Sequence, residues 1–158
     1  MTADVYVEFS ASGALPRVHA ATAADSDTVA AFLAASGLPT ADLSTSSPYL
    51  WIARTGQVVS GTVGLEVHGD AGLLRSLAVA PANRGRGLGT LLVDRVEQEA
   101  RGLGLAELVL LTETADEFFA ERGYQVVPRG SVPAAVQASA EFRALCPASA
   151  TCMRKALA

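Results

Sequence analysis

The spacing of apolar residues changes once in the middle of the chain, between residues 73 and 101. Residues 73–79 are apolar except for Arg75 and Ser76, which predicts a buried strand. Beyond this strand, apolar residues recur at every fourth position with charged residues between them, which predicts an amphipathic helix. These positions are Leu88, Leu92, Val96 and Ala100. Three glycines precede or open that helix, at Gly85, Gly87 and Gly89.

Before the strand at residues 73–79, which we call the central strand, the pattern predicts a strand, a helix and a hairpin. Residues 17–21 are expected to form the first strand, and a helix capped by Thr22 or Asp25 is expected to run to about residue 35. Residues 38–47 are small and polar, which indicates a loop or a loose helical turn. Residues 49–54 and 57–68 predict a hairpin. The second hairpin strand alternates between two faces, Val63, Leu65 and Val67 against Thr62, Glu66 and His68.

After the central helix, residues 105–111 form a continuous apolar run, which predicts an interior strand. Two strands joined through a helix are expected to be parallel. The remaining predicted elements are a helix over 115–122, a strand over 124–127, a helix over 133–145 and a strand over 150–155. Residues 1–16 are interpreted as an appendage to a domain formed by residues 17–158.

Composition limits the class of protein. The 158 residues, half of them apolar, are expected to form one globular domain. The net charge of -4 argues against nucleic acid as a partner. No run of 18 apolar residues exists and the N-terminus lacks a secretory pattern, so we expect no membrane contact and a cytoplasmic location. Cys146 and Cys152 do not have the spacing of a zinc site, and we predict two small buried residues and no metal.

A glycine-rich turn at a helix N-terminus is a candidate site for an anion, because backbone N–H groups there have no partner in the helix. The turn does not match the P-loop, which needs a lysine before Ser or Thr, or the dinucleotide pattern G-x-G-x-x-G. It matches R-x-x-G-x-G after a strand that ends V-x-P. In this respect the chain resembles the coenzyme A-binding motif of the GNAT superfamily of N-acetyltransferases.

The resemblance implies an α/β (α+β) fold, the GNAT fold, with a mixed central β-sheet flanked by helices and two splayed parallel strands around the coenzyme. It implies acetyl-CoA as cosubstrate, a small-molecule amine as acceptor and a homodimer as a candidate oligomer. The backbone of Leu77, Ala78 and Val79 would bind the pantetheine arm and polarise the thioester carbonyl. The pyrophosphate would bind the turn, which comprises Arg84, Gly85, Arg86, Gly87, Leu88, Gly89 and Thr90. The two arginines could equally be solvated surface.

The acid and base of the reaction are harder to assign. Many GNAT members carry a tyrosine that protonates the leaving thiolate, and the corresponding residue here is Phe119. Tyr124 falls on a position that is usually core. A carboxylate early in the central strand is also missing. Glu66 is therefore the candidate base, acting directly or through water, and the alternative is that Glu66 lies on a wet face of the sheet.

Arg75 is the most informative residue on the acceptor side. A guanidinium in an apolar strand is costly unless it is paired. It either meets a structural carboxylate, with Glu66 available, or binds a carboxylate of the substrate. Ser76, Thr112 and Thr114 could add neutral hydrogen bonds to the acceptor.

A narrower resemblance lies in the C-terminal third. The segments LLTETADEFFAERGY and VPAAVQASAEFRALCPASATCMRKAL are similar to amino-acid N-acetyltransferases of the N-acetylglutamate synthase kind and to small acetyltransferases of arsenic-resistance operons. This implies a glutamate-like acceptor, such as phosphinothricin or arsinothricin, and a role in detoxification. Two alternatives stay open, a non-catalytic coenzyme A-binding module and an acetyltransferase that acts on proteins.

Overall fold

The computed structural model describes residues 16–157, so the predicted appendage, residues 1–16, lies almost wholly outside the described part of the chain. Seven strands form one sheet in the order β1-β2-β3-β4-β5-β7-β6. The strands are β1 (Arg17–Ala20), β2 (Tyr49–Thr55), β3 (Val58–His68), β4 (Ala71–Val79), β5 (Glu107–Thr112), β6 (Gln125–Val126) and β7 (Thr151–Ala156). The α-helices are α1 (Ser26–Ala35), α2 (Leu43–Ser46), α3 (Leu88–Gly102), α4 (Asp116–Ala120) and α5 (Ala134–Gln137).

Strand pairing confirms the predicted mixed sheet. β2 and β3 form the predicted antiparallel hairpin, and β4 pairs with β5 in parallel. The helix between them, α3, covers the sheet with its buried apolar stripe. The predicted positions Leu88, Leu92, Val96 and Ala100 are all 1% exposed or less. The predicted core residue Tyr124 is also buried, and its hydroxyl donates to Glu97 at 2.9 Å.

A bulge in β4 decides where the sheet opens. β3 pairs Thr62 with Ala78 and Gly64 with Arg75, so β4 carries one extra residue opposite Val63. Ser76 in this bulge has a left-handed backbone with φ 59°, and its carbonyl accepts a hydrogen bond from Thr62 Oγ1 at 2.9 Å. A bulge bends a strand and re-aims it. The pairing of β4 with β5 accordingly ends early, at the pair Leu73–Val109.

Two predictions about local structure are wrong in part. The predicted helix over 133–145 is interrupted, with α5 ending at Gln137 and a π-helical turn following over Glu141–Leu145. The interruption lies at Ser139, whose hydroxyl accepts from the N–H of Phe142 at 3.4 Å. The predicted strand over 124–127 is reduced to β6. Both of the predicted faces of β3 are buried over most of the strand's length.

Among residues 16–157, no helix is long and apolar enough to cross a membrane.

Candidate active site

The opening between β4 and β5 forms a cavity of about 560 Å³, which we call the gap cavity. It lies beyond the last paired residues of the two strands, and the ends of both strands form its walls. These wall residues are Leu74, Arg75, Ser76 and Leu77 from β4 and Leu110, Leu111 and Thr112 from β5. Residues outside these two strands also line it, among them Glu113, Thr114, Ala115, Phe119, Glu141 and Cys146. The four predicted acceptor-side residues, Arg75, Ser76, Thr112 and Thr114, therefore line one cavity.

A second cavity of about 600 Å³, the glycine-loop cavity, lies at the start of α3. Most of the predicted coenzyme-binding residues line it, namely Leu77, Ala78, Val79, Arg84, Gly85, Gly87, Leu88, Gly89 and Thr90. Arg86 is exposed in the same turn. The two cavities share Leu77, Thr114 and Ala115 as walls, so they adjoin.

The backbone of the turn is shaped by two glycines. Gly85 and Gly87 have φ values of 76° and 84°, a region that other residues enter at a cost. Gly87 is the N-cap of α3 and no side chain caps the helix. The first backbone N–H groups of α3 therefore have no capping side chain, and the positive end of the helix dipole faces the cavity.

Arg122 is a charged residue at this cavity that sequence reasoning missed. Its guanidinium lies 3.6 Å from the ring centre of Phe118, and Nε donates to Thr90 Oγ1 at 3.1 Å. Nη2 also donates to Thr90, and Nη1 donates to the carbonyl of Phe118 at 2.6 Å. The signal in the sequence was the spacing of four between Phe118 and Arg122, which puts both on one face of a helix.

Arg75 is the centre of a buried ionic cluster. Its side chain is 0% exposed. Nη1 and Nη2 donate to the two carboxylate oxygens of Asp42 at 2.6 and 2.8 Å. Nη1 also donates to Glu66 Oε2 at 2.5 Å, and Nη2 lies 3.3 Å from Glu141 Oε2. Nε donates to Ser76 Oγ at 3.1 Å, so every nitrogen of the guanidinium has a partner. We call Arg75, Asp42, Glu66 and Glu141 the Arg75 cluster.

Three carboxylates surround one guanidinium in this cluster, and their environments differ. Burial opposes ionisation of Asp42, but hydrogen bonds from Arg75 and Ser46 lower its pKa below the usual value. For Glu141, burial raises the pKa to about 7, with Arg75 opposing and with Glu66 and Asp42 adding to the rise. The cluster therefore holds an excess of negative charge next to the gap cavity.

Glu66, the predicted base, is 4% exposed, so the alternative of a wet sheet face is wrong. Oε2 of Glu66 accepts from Arg75, and Oε1 lies 2.8 Å from His68 Nε2. Glu66 and His68 line a groove on the hairpin side, together with Ser46 and Ser139. Of the two roles predicted for Arg75, pairing with a structural carboxylate is the one present here.

Two further predicted positions complete the site. Phe119, at the place of the usual tyrosine, is 4% exposed and packs edge-to-face on Tyr124 with ring centres 5.4 Å apart. Cys152 is buried, as predicted, whereas Cys146 is half-buried at the gap cavity. Burial, with Glu141 adding, raises the pKa of Cys146 to about 12. Within residues 16–157, no group of His, Cys, Asp and Glu side chains is arranged to hold a metal ion.

Residues 46–126 match the family described as Acetyltransferase (GNAT) domain. Since the match covers more than half of the chain, the protein belongs to the GNAT acetyltransferases. GNAT enzymes use acetyl-CoA as cosubstrate. The predicted GNAT fold and the predicted class are confirmed.

Among curated proteins, the chain is similar to an amino-acid acetyltransferase from Pseudomonas paraeruginosa, with 46% identity over 66 residues. That similarity covers 42% of this chain and 15% of the Pseudomonas protein. An amino-acid acetyltransferase from Neisseria meningitidis is 36% identical over 64 residues, which is 40% of this chain and 15% of that protein. The chain thus matches only a small part of the length of these relatives.

Solved structures have the same fold. N-acetylglutamate synthase from Neisseria gonorrhoeae, complexed with coenzyme A and N-acetyl-glutamate, aligns with a TM-score of 0.77 at 22% identity. The alignment covers 90% of this chain and 35% of the synthase. A Mycobacterium tuberculosis protein in complex with CoA aligns with a TM-score of 0.74 at 26% identity, over 89% of this chain and 99% of that protein.

Proposed function

We propose that this protein transfers the acetyl group of acetyl-CoA to the α-amine of a small amino-acid-like acceptor. The observation that carries the proposal is the junction of the gap cavity with the glycine-loop cavity. A thioester at that junction would lie between a phosphate-binding turn and a cavity with polar walls. Acyl transfer needs such positioning, together with donors for the developing charge on the carbonyl oxygen.

On the coenzyme side, the edge of β4 beyond Leu73 supports the proposal. No described strand pairs with that edge on the β5 side, so backbone groups of residues 77–79 are available to the pantetheine arm. The turn from Gly85 to Thr90 would bind the pyrophosphate through backbone N–H groups. Arg84 and Arg86 would contribute charge at its rim, and we add Arg122, which lines the same cavity.

On the acceptor side, we propose that Ser76, Thr112 and Thr114 bind the acceptor by hydrogen bonds. Among the described residues that line the gap cavity, Arg75 is the only lysine or arginine. An acidic acceptor would therefore have to displace a carboxylate from Arg75. We expect Glu141 to give way, because its 3.3 Å contact is longer than the contacts of Asp42 and Glu66.

A narrower proposal is a glutamate analogue, such as phosphinothricin or arsinothricin, in arsenic or antibiotic detoxification. The similarity to amino-acid acetyltransferases supports an α-amine as the acceptor group. It does not identify the acceptor molecule. The homodimer and the cytoplasmic location also stay predictions.

The proton chemistry is the least defined part of the proposal. Glu66 is a candidate base, but its contacts with Arg75 and His68 mean that it would act through water or through a neighbour. Phe119 cannot protonate the leaving thiolate. A thiol titrates near pH ~8.5, so a thiolate can leave without an acid near neutral pH.

A second candidate function is a coenzyme A-binding module without catalysis, and Phe119 in the wall of the gap cavity favours it. The two candidates differ in turnover, which can be measured as free thiol released from acetyl-CoA.

The test offers acetyl-CoA with glutamate, glutamine, methionine sulfoximine, phosphinothricin or arsinothricin. We expect thiol release with at least one acceptor and an N-acetylated product by mass spectrometry. The pair glutamate and glutamine isolates the effect of a second acidic group. Tight acetyl-CoA binding without release for any acceptor would favour the binding module. Competition by proteins and not by free amino acids would favour a protein acetyltransferase.

A further inference from the structure

Glu141 is a buried carboxylate at the gap cavity to which the proposed function gives no part in the chemistry. It is 4% exposed and lines the cavity together with Arg75 and Ser76. It opens the π-helical turn Glu141–Leu145, in which the N–H of Cys146 donates to the carbonyl of Glu141 at 3.1 Å. Such turns are rare and occur frequently at functional sites.

The three carboxylates of the Arg75 cluster differ in their contacts. Asp42 accepts two hydrogen bonds from Arg75 and one from Ser46 at 2.7 Å. Glu66 is bound by Arg75 and His68. Within the described part of the chain, the Glu141 carboxylate has only the 3.3 Å ion pair with Arg75 and a 3.9 Å contact between Oε1 and the sulfur of Cys146. Glu141 therefore retains the most acceptor capacity for a new donor.

The three carboxylates also differ in where they lie. Glu141 lines the gap cavity, whereas Glu66 lines the groove on the hairpin side. Asp42 lines neither the gap cavity nor the groove on the hairpin side. An amine that enters the gap cavity therefore meets Glu141 before the other two.

We propose that Glu141 is the catalytic base that takes a proton from the acceptor's ammonium group in the gap cavity. This role rests on the proposed acetyl transfer. The ammonium gives one proton to the carboxylate of Glu141, and the freed nitrogen lone pair forms a bond to the thioester carbon. The carbon–sulfur bond then breaks, and the second nitrogen proton goes to the leaving thiolate. The products are the amide, the coenzyme A thiol and protonated Glu141, which returns its proton to water.

The electrostatics of the site agree with this geometry. Burial raises the pKa of Glu141 to about 7, so the carboxyl group can hold and release a proton near neutral pH. The charged groups that act on it are Arg75 from β4, Glu66 from β3 and Asp42 before α2, and the neutral thiol of Cys146 is a hydrogen-bond partner. Glu113 at the end of β5 lines the same cavity.

The test measures kcat against pH for the wild type, Glu141→Gln and Glu66→Gln, with acetyl-CoA and phosphinothricin. Glu113→Gln is the matched control, because Glu113 is an exposed carboxylate at the same cavity. We expect Glu141→Gln to lower kcat about 10²- to 10⁴-fold and to remove the rise of activity through pH 7. Acetyl-CoA affinity should change less than about twofold, because the coenzyme would bind at the other end of the site.

A second acceptor separates a base from a structural residue. In the aminooxy analogue of phosphinothricin, the reacting nitrogen is neutral at pH 7 and needs no base to lose a first proton. The fold loss of kcat caused by Glu141→Gln should be at least about tenfold smaller with this acceptor than with phosphinothricin. A deficit of equal size with both acceptors would mean that Glu141 acts on structure alone.

Other results would overturn the role in distinguishable ways. If Glu141→Gln keeps the wild-type rate and pH profile while the wild type turns over, only the role of Glu141 fails. If Glu66→Gln alone loses the rise through pH 7, Glu66 is the base. If the wild type acetylates none of the acceptors offered here and in the test of the proposed function, that function fails and the role of Glu141 fails with it.

Discussion

Replacing Glu141 with glutamine should stabilise the fold at pH 8 while it lowers activity. In the folded protein the Glu141 carboxyl titrates near 7, compared with 4.5 for an exposed glutamate. Because the pKa of Glu141 is higher in the folded state than in the unfolded state, the protonated carboxyl group adds to the free energy of unfolding at low pH. That added free energy of unfolding is lost as pH rises from 4.5 through 7. The difference between these two pKa values corresponds to roughly 3 kcal/mol of unfolding free energy, since one pKa unit is worth about 1.4 kcal/mol. Glutamine has the same shape and carries no charge, so it avoids this cost.

The expected gain in unfolding free energy is roughly 3 kcal/mol at pH 8 and under about 1 kcal/mol at pH 5. Urea unfolding can be followed through the fluorescence of Trp51, the single tryptophan, which is 3% exposed in the folded state. Glu113→Gln serves as the control, and its stability should stay within about 0.5 kcal/mol of the wild type at both pH values.

Two results would refute the reasoning. Destabilisation by Glu141→Gln at pH 8 would mean that the ion pair with Arg75 outweighs the cost of burying the charge. A gain of equal size at pH 5 and pH 8 would mean that titration of Glu141 is not its origin. The expected combination of higher stability and lower activity is typical of residues that are kept for function.

Three further predictions concern other parts of the site. Gly87→Glu should weaken coenzyme A binding about 10- to 1,000-fold by calorimetry, because a carboxylate would face the pyrophosphate. Gly87→Ala has the same backbone strain at φ 84° without the charge, so it should bind coenzyme A far more tightly than Gly87→Glu does. Equal losses of affinity in the two variants would refute the phosphate assignment. Arg75→Met should lower the unfolding free energy by about 3–5 kcal/mol at pH 7, because three carboxylates lose their cation. A stable variant with a raised acceptor KM would instead mean that Arg75 binds the acceptor. Cys146 should react with iodoacetamide at pH 8 at least about 100-fold more slowly than free cysteine by mass spectrometry, because its thiol titrates near 12. A rate equal to that of free cysteine would contradict the burial of this thiol.

Much of the fold could be predicted because its signals are local. The four-residue period of α3, the apolar run of β5 and the hairpin of β2 and β3 each lie within one short segment. The turn from Gly85 to Gly89 was predictable for the same reason, since glycines just before an amphipathic helix indicate a turn in which the backbone takes conformations that other residues avoid. The residues of the coenzyme side therefore followed from the sequence and the resemblance to the GNAT superfamily.

The acceptor side could be predicted only in part, because it is built from distant segments. The sequence marked Arg75 as a buried charge that needs a partner, and it offered Glu66. It carried no sign that Asp42, 33 residues away, would form a bidentate pair with Arg75. The same holds for Glu141, because the periodicity predicted an unbroken helix through that position.

The succession of strands and helices along the chain, the central helix and the glycine-rich turn are thus properties of local sequence. Whether Arg75 is free or bound, which carboxylate faces the gap cavity, and whether Glu141 holds a proton near pH 7 depend on tertiary structure. The physical reason is that burial and charge pairing act through space. A bulge at Ser76 and a π-helical turn at Glu141 lie where groups from β3, β4, the segment before α2 and the C-terminal region come together, and the raised pKa of Glu141 results from these contacts.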